Sequence, residues 1–261
     1  MLTKEFIEKH QTYLYNLALR LVYDKQDAQD LTHDVWIKII ENIDSFEGKS
    51  NFSTWSYRIM MNHFFNQQRK YTQLDFKNFA NTMNNLEDMV FENEYKEPQK
   101  QLLIEEAKIG CMMGMLLCLN PEQRAILVVG DIFEIDSNIA SEIFDISKEN
   151  FRKKLSRVRK ELYGFMNTHC SLVNKKNNCN CERKTKALIK EGYVEPTNIK
   201  FAQNTDKILK KQMKIKSDTL DNTMEYLYQN LYQNHPLYEI DSKLFATNLL
   251  KNHKIKEIFE I

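Results

Sequence analysis

Glycine and proline are scarce in this chain of 261 residues, at six and four respectively. A β-sandwich or barrel needs a turn every few residues, and such turns draw on those two residue types. Strand-type alternation is also hard to find, so the chain reads as all-α. No apolar run approaches the length of a membrane helix, and Met1-Leu2-Thr3-Lys4 does not open a secretory leader. The expectation is a cytoplasmic protein without membrane insertion. No charge of one sign dominates: the formal net charge is +1, which excludes a generally basic nucleic-acid coat. Also missing are a glycine-rich phosphate loop, a helical His/carboxylate metal pattern and a nucleophile motif, so the residues give no reason to expect an enzyme.

What is present is helical periodicity with uneven charge. Phe6, Ile7, Tyr13, Leu14, Leu17, Ala18, Leu21 and Val22 describe an amphipathic helix. Asp27 is a candidate cap for a second helix, in which Leu31, Val35, Ile39 and Ile43 repeat at helical spacing. Next comes FEGKSNFSTWSYRIMMNHFFNQQRK (46–70), which sets aromatic rings among amides, hydroxyls and bases, first in a loop and then along a helix. Residues 1–70 therefore read as one small helical domain. Residues 71–101 lose the pattern, are rich in Asn and acidic side chains, and read as a linker.

A second helical domain is expected over 102–166. Asn120-Pro121-Glu122-Gln123 is a helix start, with Asn as cap and Pro in the first turn. A short helix near Ile139 to Phe144, a tight turn at Asp145-Ile146 and a Ser147 cap lead into a helix with a basic outer face. That pattern is a helix-turn-helix. Lys148, Glu149, Asn150, Arg152 and Lys153 lie where such motifs meet base edges, and Arg157 and Lys160 where they meet phosphates. A solvated charged face is the ordinary alternative for such a helix.

DAQDLTHDVWIKII (27–40) followed by FEGKSNFSTWSYRIMMN resembles regions 2.1 to 2.4 of bacterial sigma-70-family RNA polymerase sigma factors of the extracytoplasmic-function (ECF) group. LNPEQRAILVVGDIFEIDSNIASEIFDISKENFRKKLSRVRKEL (119–162) resembles region 4 of the same group, and the two segments occur in the family's order. The resemblance implies a factor that binds core RNA polymerase, at the β′ clamp helices and the β flap, and directs transcription initiation at promoter DNA. Asp30, Leu31, His33, Asp34 and Trp36 would dock on the clamp helices; the residues themselves favour core for Leu31 and Val35 and the interface for Asp30, His33 and Asp34. Ser50, Asn51, Phe52, Ser53 and Thr54 would form a loop that captures an extruded −10 base, with Trp55 either touching the DNA or bracing the loop. Lys49, Arg58, Arg69 and Lys70 would follow the phosphates, and Asn62 and Asn66 would lie near the duplex edge. The second domain would read −35. An anti-sigma factor or other recruiting protein is implied as a further partner. The different reading is a helix-turn-helix regulator acting on duplex DNA without polymerase. Against the family's usual pattern, Asp145 replaces a turn Gly and Ser141 an Ala.

Residues 167–261 form an extension. HCSLVNKKNNCNCERKTKALIKEGYVEP (169–196) resembles a cysteine-containing tail found on some of these factors. His169, Cys170, Cys179 and Cys181 could supply a zinc site, although Cys-x-Cys is an unusual spacing for zinc; reduced structural or redox-sensing thiols are the other reading. Cys111 and Cys118 read as core residues. Helices are expected at Arg183 to Glu191, Thr205 to Tyr232 and Ser242 to Phe259.

Overall fold

A computed structural model describes residues 3–67, 70–92, 94–202 and 241–250. Among these described residues the fold is all-α, and a single isolated bridge between Cys170 and Cys179 is its only strand-like pairing. The helices are α1 (Lys4–Val22), α2 (Lys25–Glu41), α3 (Phe52–Gln67), α4 (Phe76–Asn85), α5 (Glu97–Leu117), α6 (Pro121–Leu127), α7 (Ser137–Phe144), α8 (Lys148–His169), α9 (Cys181–Lys190) and α10 (Ser242–Leu250). The expected helix over Thr205 to Tyr232 lies outside the described residues, as does the expected continuation of α10 beyond Leu250.

The chain divides into two compact units that do not follow the sequence order. The first gathers the described residues of 1–72, 121–155 and 239–261. Its centre is α1, which packs against α2, α3, α6 and α10. That enclosure is why every residue from Leu14 to Val22 is buried, polar ones included. Arg20 is one of them: its Nη1 donates to the Asn16 carbonyl at 3.2 Å, and the guanidinium lies 5.3 Å from the Phe133 ring centroid. Burial lowers its pKa to about 10, which leaves it charged at neutral pH. Arg124, also buried, donates to the Leu21 carbonyl and ties α6 to α1.

Helix α2 is capped by Asp24, not Asp27. The Asp24 carboxylate accepts from the Gln26 and Asp27 amides at 2.8 and 3.1 Å, so the helix is already formed when the chain reaches Asp27. Both acids suit a helix N-terminus, and the earlier one has the extended backbone a cap requires. Gly130 allows the helix-turn-helix to close, because a β-carbon there would stand 2.7 Å from the Leu155 side chain.

The second unit gathers 73–120 and the described part of 156–238. Here the expected linker proves to be structured. It contains α4, and Leu86 joins Leu103, Ala107, Ala187, Leu188 and Val194 in one core. The segment 86–95 is too short to fold alone, and the extension supplies its partners. Lys184 donates to the Leu86 carbonyl and pairs with Asp88 at 3.0 Å, Lys186 pairs with Glu94 at 2.6 Å, and the Met89 amide donates to the Arg183 carbonyl at 2.8 Å. On α5, the buried Glu106 carboxylate accepts from the backbone amides of Lys200, Phe201 and Ala202 at 2.7–2.8 Å.

Candidate nucleic-acid interface

The 46–55 loop is built around the N-terminus of α3. Asn51 Oδ1 accepts from the Thr54 amide at 2.8 Å and the Thr54 hydroxyl at 2.9 Å, satisfying a donor that the helix leaves open. Gly48 has φ +69°, a conformation that side chains rarely take, so the loop reverses where glycine permits it. Lys49, paired with Glu47, and Asn51 are exposed, while Ser50, Ser53 and Trp55 are half-buried and Thr54 is buried.

Phe52 does not project as the expected base-capturing ring. It sits among Phe6, His10, Phe46, Trp55 and Trp36, with ring centroids 4.6, 4.8, 6.0, 6.0 and 6.1 Å away. Its role here is the bracing one that the sequence reading assigned to Trp55. The pattern F-x-x-W could not reveal this, because the enclosing rings of Phe6 and His10 come from α1.

Along α3, Arg58, Asn62 and Asn66 are exposed at four-residue spacing and form one polar stripe, while Tyr57, Met60, Met61 and Phe64 are buried on the other side. Phe64 stacks on Tyr71 with centroids 5.7 Å apart. Lys70 is exposed, and Arg69 lies outside the described residues.

The docking set on α2 divides. Leu31 and Trp36 are 1% and 0% exposed, and the Trp36 indole donates to Gln11 Oε1 at 2.6 Å. Both are core residues, and neither is available to a partner without unfolding the helix pair. Asp30 is exposed, and His33 and Asp34 are half-exposed. Asp34 Oδ2 is 3.2 Å from His63 Nε2, which links α2 to α3, and Gln67 Nε2 lies 3.0 Å from the same nitrogen.

The helix-turn-helix forms as its caps predict. Asp145 ends α7 at φ 53°, ψ 47°, the left-handed geometry that a short polar side chain tolerates, and Ser147 Oγ accepts from the Asn150 amide at 3.2 Å to start α8. Ser141 accommodates its position by donating to the Asn138 carbonyl at 2.6 Å. Glu149, Asn150, Arg152, Lys153, Arg157 and Lys160 are exposed and Lys148 is half-exposed, while Phe151, Leu155 and Val158 face inward. Arg152 Nε donates to Ser137 Oγ at 3.3 Å, which holds its side chain back along α7.

The profile of Sigma-70 region 2 matches residues 6–73, the span that contains the loop, the α3 stripe and the α2 face. Among characterised proteins, the chain is 26% identical over 167 residues to the ECF RNA polymerase sigma factor SigM of Bacillus subtilis, covering 64% of this chain and 96% of that one. Residues 6–73 are thus a Sigma-70 region 2 domain. The chain is also 23% identical over 168 residues to the ECF RNA polymerase sigma factor SigE of Mycolicibacterium smegmatis, and spans 62% of that relative's length. A solved structure of the sigma factor RpoE with the anti-sigma factor NepR from Bartonella quintana matches with a TM-score of 0.43 and 20% identity, over 63% of this chain and 98% of that one.

The cysteines of the extension assemble differently from the expected set. His169 is engaged within its own helix, its ring stacking on Phe165 at 4.3 Å and Nδ1 lying 2.7 Å from the Thr168 hydroxyl and 3.0 Å from the Phe165 carbonyl, while it lines a small cavity with Cys111, Cys170 and Cys179. Cys111 of α5 joins the set, lining one small apolar cavity of about 20 Å³ with Cys170, Cys179 and Cys181. Burial pushes all four thiols up, Cys181 to about 12, so each is protonated at neutral pH. Among the described residues, no three His, Cys, Asp or Glu side chains stand in an arrangement that holds a metal ion. Cys111 was invisible as a member because nothing in its own helix distinguishes it from a core residue. No described helix is long and apolar enough to cross a membrane.

Proposed function

We propose that this sigma factor binds core RNA polymerase, reads the −35 element through the exposed face of α8 and the −10 element through the start of α3, and helps open the duplex there. The observation that carries the reading is the α3 stripe. Arg58, Asn62 and Asn66 face solvent behind a loop whose exposed amide, Asn51, sits at the helix N-terminus. An amide can hold a base edge and the cation a phosphate, so the arrangement suits a strand whose base has left the stack. On α8, Asn150, Arg152 and Lys153 are exposed within the first two turns, the place from which a recognition helix meets base edges.

On this reading Asp30, His33 and Asp34 meet the β′ clamp helices, the second helix-turn-helix domain meets the β flap, and an anti-sigma or recruiting protein controls access. The factor works in the bacterial cytoplasm, and the chemistry of RNA synthesis belongs to the polymerase. The four thiols are proposed as a reduced, structural cluster that holds the extension on α5.

Transcription in vitro with purified core polymerase tests the reading. The expected result is initiation on promoters selected from a random library, with a pre-melted −10 segment rescuing loop variants. A protein that neither co-purifies with core nor directs initiation, even on pre-melted DNA, would overturn it.

A further inference from the structure

Helix α10 lies far from α1 and α2 in sequence, yet it packs on α1 and reaches α2 through one ring contact. Ser242 and Thr12 share a hydroxyl–hydroxyl hydrogen bond of 3.2 Å. Ala246 and Leu249, one turn apart, are both fully buried, and the Phe245 ring meets the His33 ring edge-on at a centroid distance of 6.4 Å. Phe245, Ala246 and Leu249 thus form the inward stripe of an amphipathic helix, with Lys243, Leu244 and Asn248 outward. His33 is one edge of the small exposed surface that α2 offers; Asp30 stands in its middle, and Asp34 is at the other edge beside His63.

A helix with its side chains is about 10 Å across. One standing against His33 therefore occupies the space that a second helix would need in order to lie along Asp30 and His33. We propose that α10 is a competitor in cis for the face of α2 that receives the polymerase clamp helices, so that core binding requires α10 to move aside. This rests on the assignment of Asp30, His33 and Asp34 to polymerase docking. The contacts favour a device that can release: the ring contact is at an edge, and Leu244 remains 57% exposed. A segment meant only to complete the core would bury its apolar residues more fully.

The experiment measures the affinity of the full chain for core polymerase by fluorescence anisotropy, with Asp30→Lys as the docking control. Ala246→Glu with Leu249→Glu places two charges on the inward stripe and displaces α10. The expected result is binding tightened about tenfold, equivalent to about 1.4 kcal/mol, with circular dichroism reporting that the other helices persist. Because those charges could disturb α1, a second variant acts in the opposite direction. Thr12→Cys with Ser242→Cys, oxidised, should bind core about tenfold more weakly, and reductant should restore it, while wild type under the same treatment sets the baseline for the five native cysteines. If Asp30→Lys abolishes binding while both α10 variants bind as wild type does, the competition is refuted and the docking assignment stands. If Asp30→Lys binds core as wild type does, the docking assignment itself fails and the inference falls with it.

Discussion

Asn51 gives the sharpest test of the −10 reading, because the structure assigns it a second duty that can be separated from the first. Its Oδ1 caps α3 through the Thr54 amide and hydroxyl at 2.8 and 2.9 Å. Asn51→Ala removes that acceptor and should cost about 1 kcal/mol of stability, which lowers the melting temperature by roughly 2–4 °C in a protein of this size. Asn51→Asp keeps the acceptor, places a negative charge at the helix N-terminus and should leave stability unchanged or slightly raised. Promoter opening should respond differently. Either change removes the amide donor that would hold an extruded base, and Asp adds repulsion from phosphates. One lost base contact of about 1–3 kcal/mol corresponds to roughly 5- to 150-fold in the opening equilibrium. Fluorescence of a base analogue at −11 reads opening, and a −35 duplex probe reads binding that should not change. If Asn51→Asp opens the promoter as wild type does, and Asn51→Ala loses opening only in proportion to its stability, Asn51 is a cap and the base-holding role is refuted.

Phe52→Ala should cost about 2–4 kcal/mol, short of the full value for a deeply buried ring because Phe52 is half-buried, and thermal unfolding should expose this even without DNA; a stable variant with an opening defect would restore the capturing role to the ring. Glu106→Gln turns an amide N–H toward backbone donors at 200–202 and should cost about 2–3 kcal/mol, detected as faster amide exchange at Phe201 and Ala202. Metal analysis of the purified protein should find no stoichiometric zinc, and alkylation of Cys111, Cys170, Cys179 and Cys181 at pH 8 should wait on denaturant; one zinc per chain, lost in Cys111→Ser, would replace the thiol cluster by a metal centre. The same thiols predict alkaline sensitivity. The folded Cys181 thiol has its pKa raised to about 12, and the unfolded one ionises near about 8.5. Its contribution is therefore full below the unfolded value and is lost progressively as pH rises toward the folded one. The urea midpoint should fall between pH 8 and pH 10, and by less in Cys181→Ser.

Local signals in the sequence carried the helices and their ends, because caps and turns are decided within a few residues. Pro121 opening α6, Asp145 turning left-handed and Ser147 capping α8 all stand where their side-chain chemistry requires. Asp24 and Asp27 show the limit of such signals: two acids three residues apart both suit a helix start, and only the backbone at Asp24 decides between them. What remained hidden was long-range. The acidic side chains Asp88 and Glu94 of the expected linker are paired with Lys184 and Lys186, almost a hundred residues later. Phe52 and Cys111 each changed role for the same reason, since their neighbours come from helices distant in sequence. The α3 stripe was legible as residue types, whereas its exposure depended on which face the core claimed.

The composition of the first unit has a consequence for the proposed action. It contains both the α3 stripe and α7, the first helix of the helix-turn-helix, in contact through Phe65 and Phe144 at 6.4 Å and through Tyr57 and Phe133 at 6.3 Å. Promoter elements about 25 base pairs apart are separated by roughly 85 Å along the duplex at 3.4 Å per pair. A compact body of about 120 residues has a radius of gyration of only about 13–14 Å. One such body cannot hold both elements at once, so promoter recognition on the proposed reading requires α7 to leave α3. The contacts to be given up are modest at the ring pairs, about 0.5–1.5 kcal/mol each beyond their buried area. The buried Arg124 is costlier to expose, because its guanidinium is satisfied by the Leu21 carbonyl across the same boundary. DNA alone would have to supply that energy from two sites held together by the fold it is opening. Core polymerase, which on this reading engages α2 and the second domain separately, can supply it before DNA arrives, and that places polymerase binding ahead of promoter recognition in the order of events.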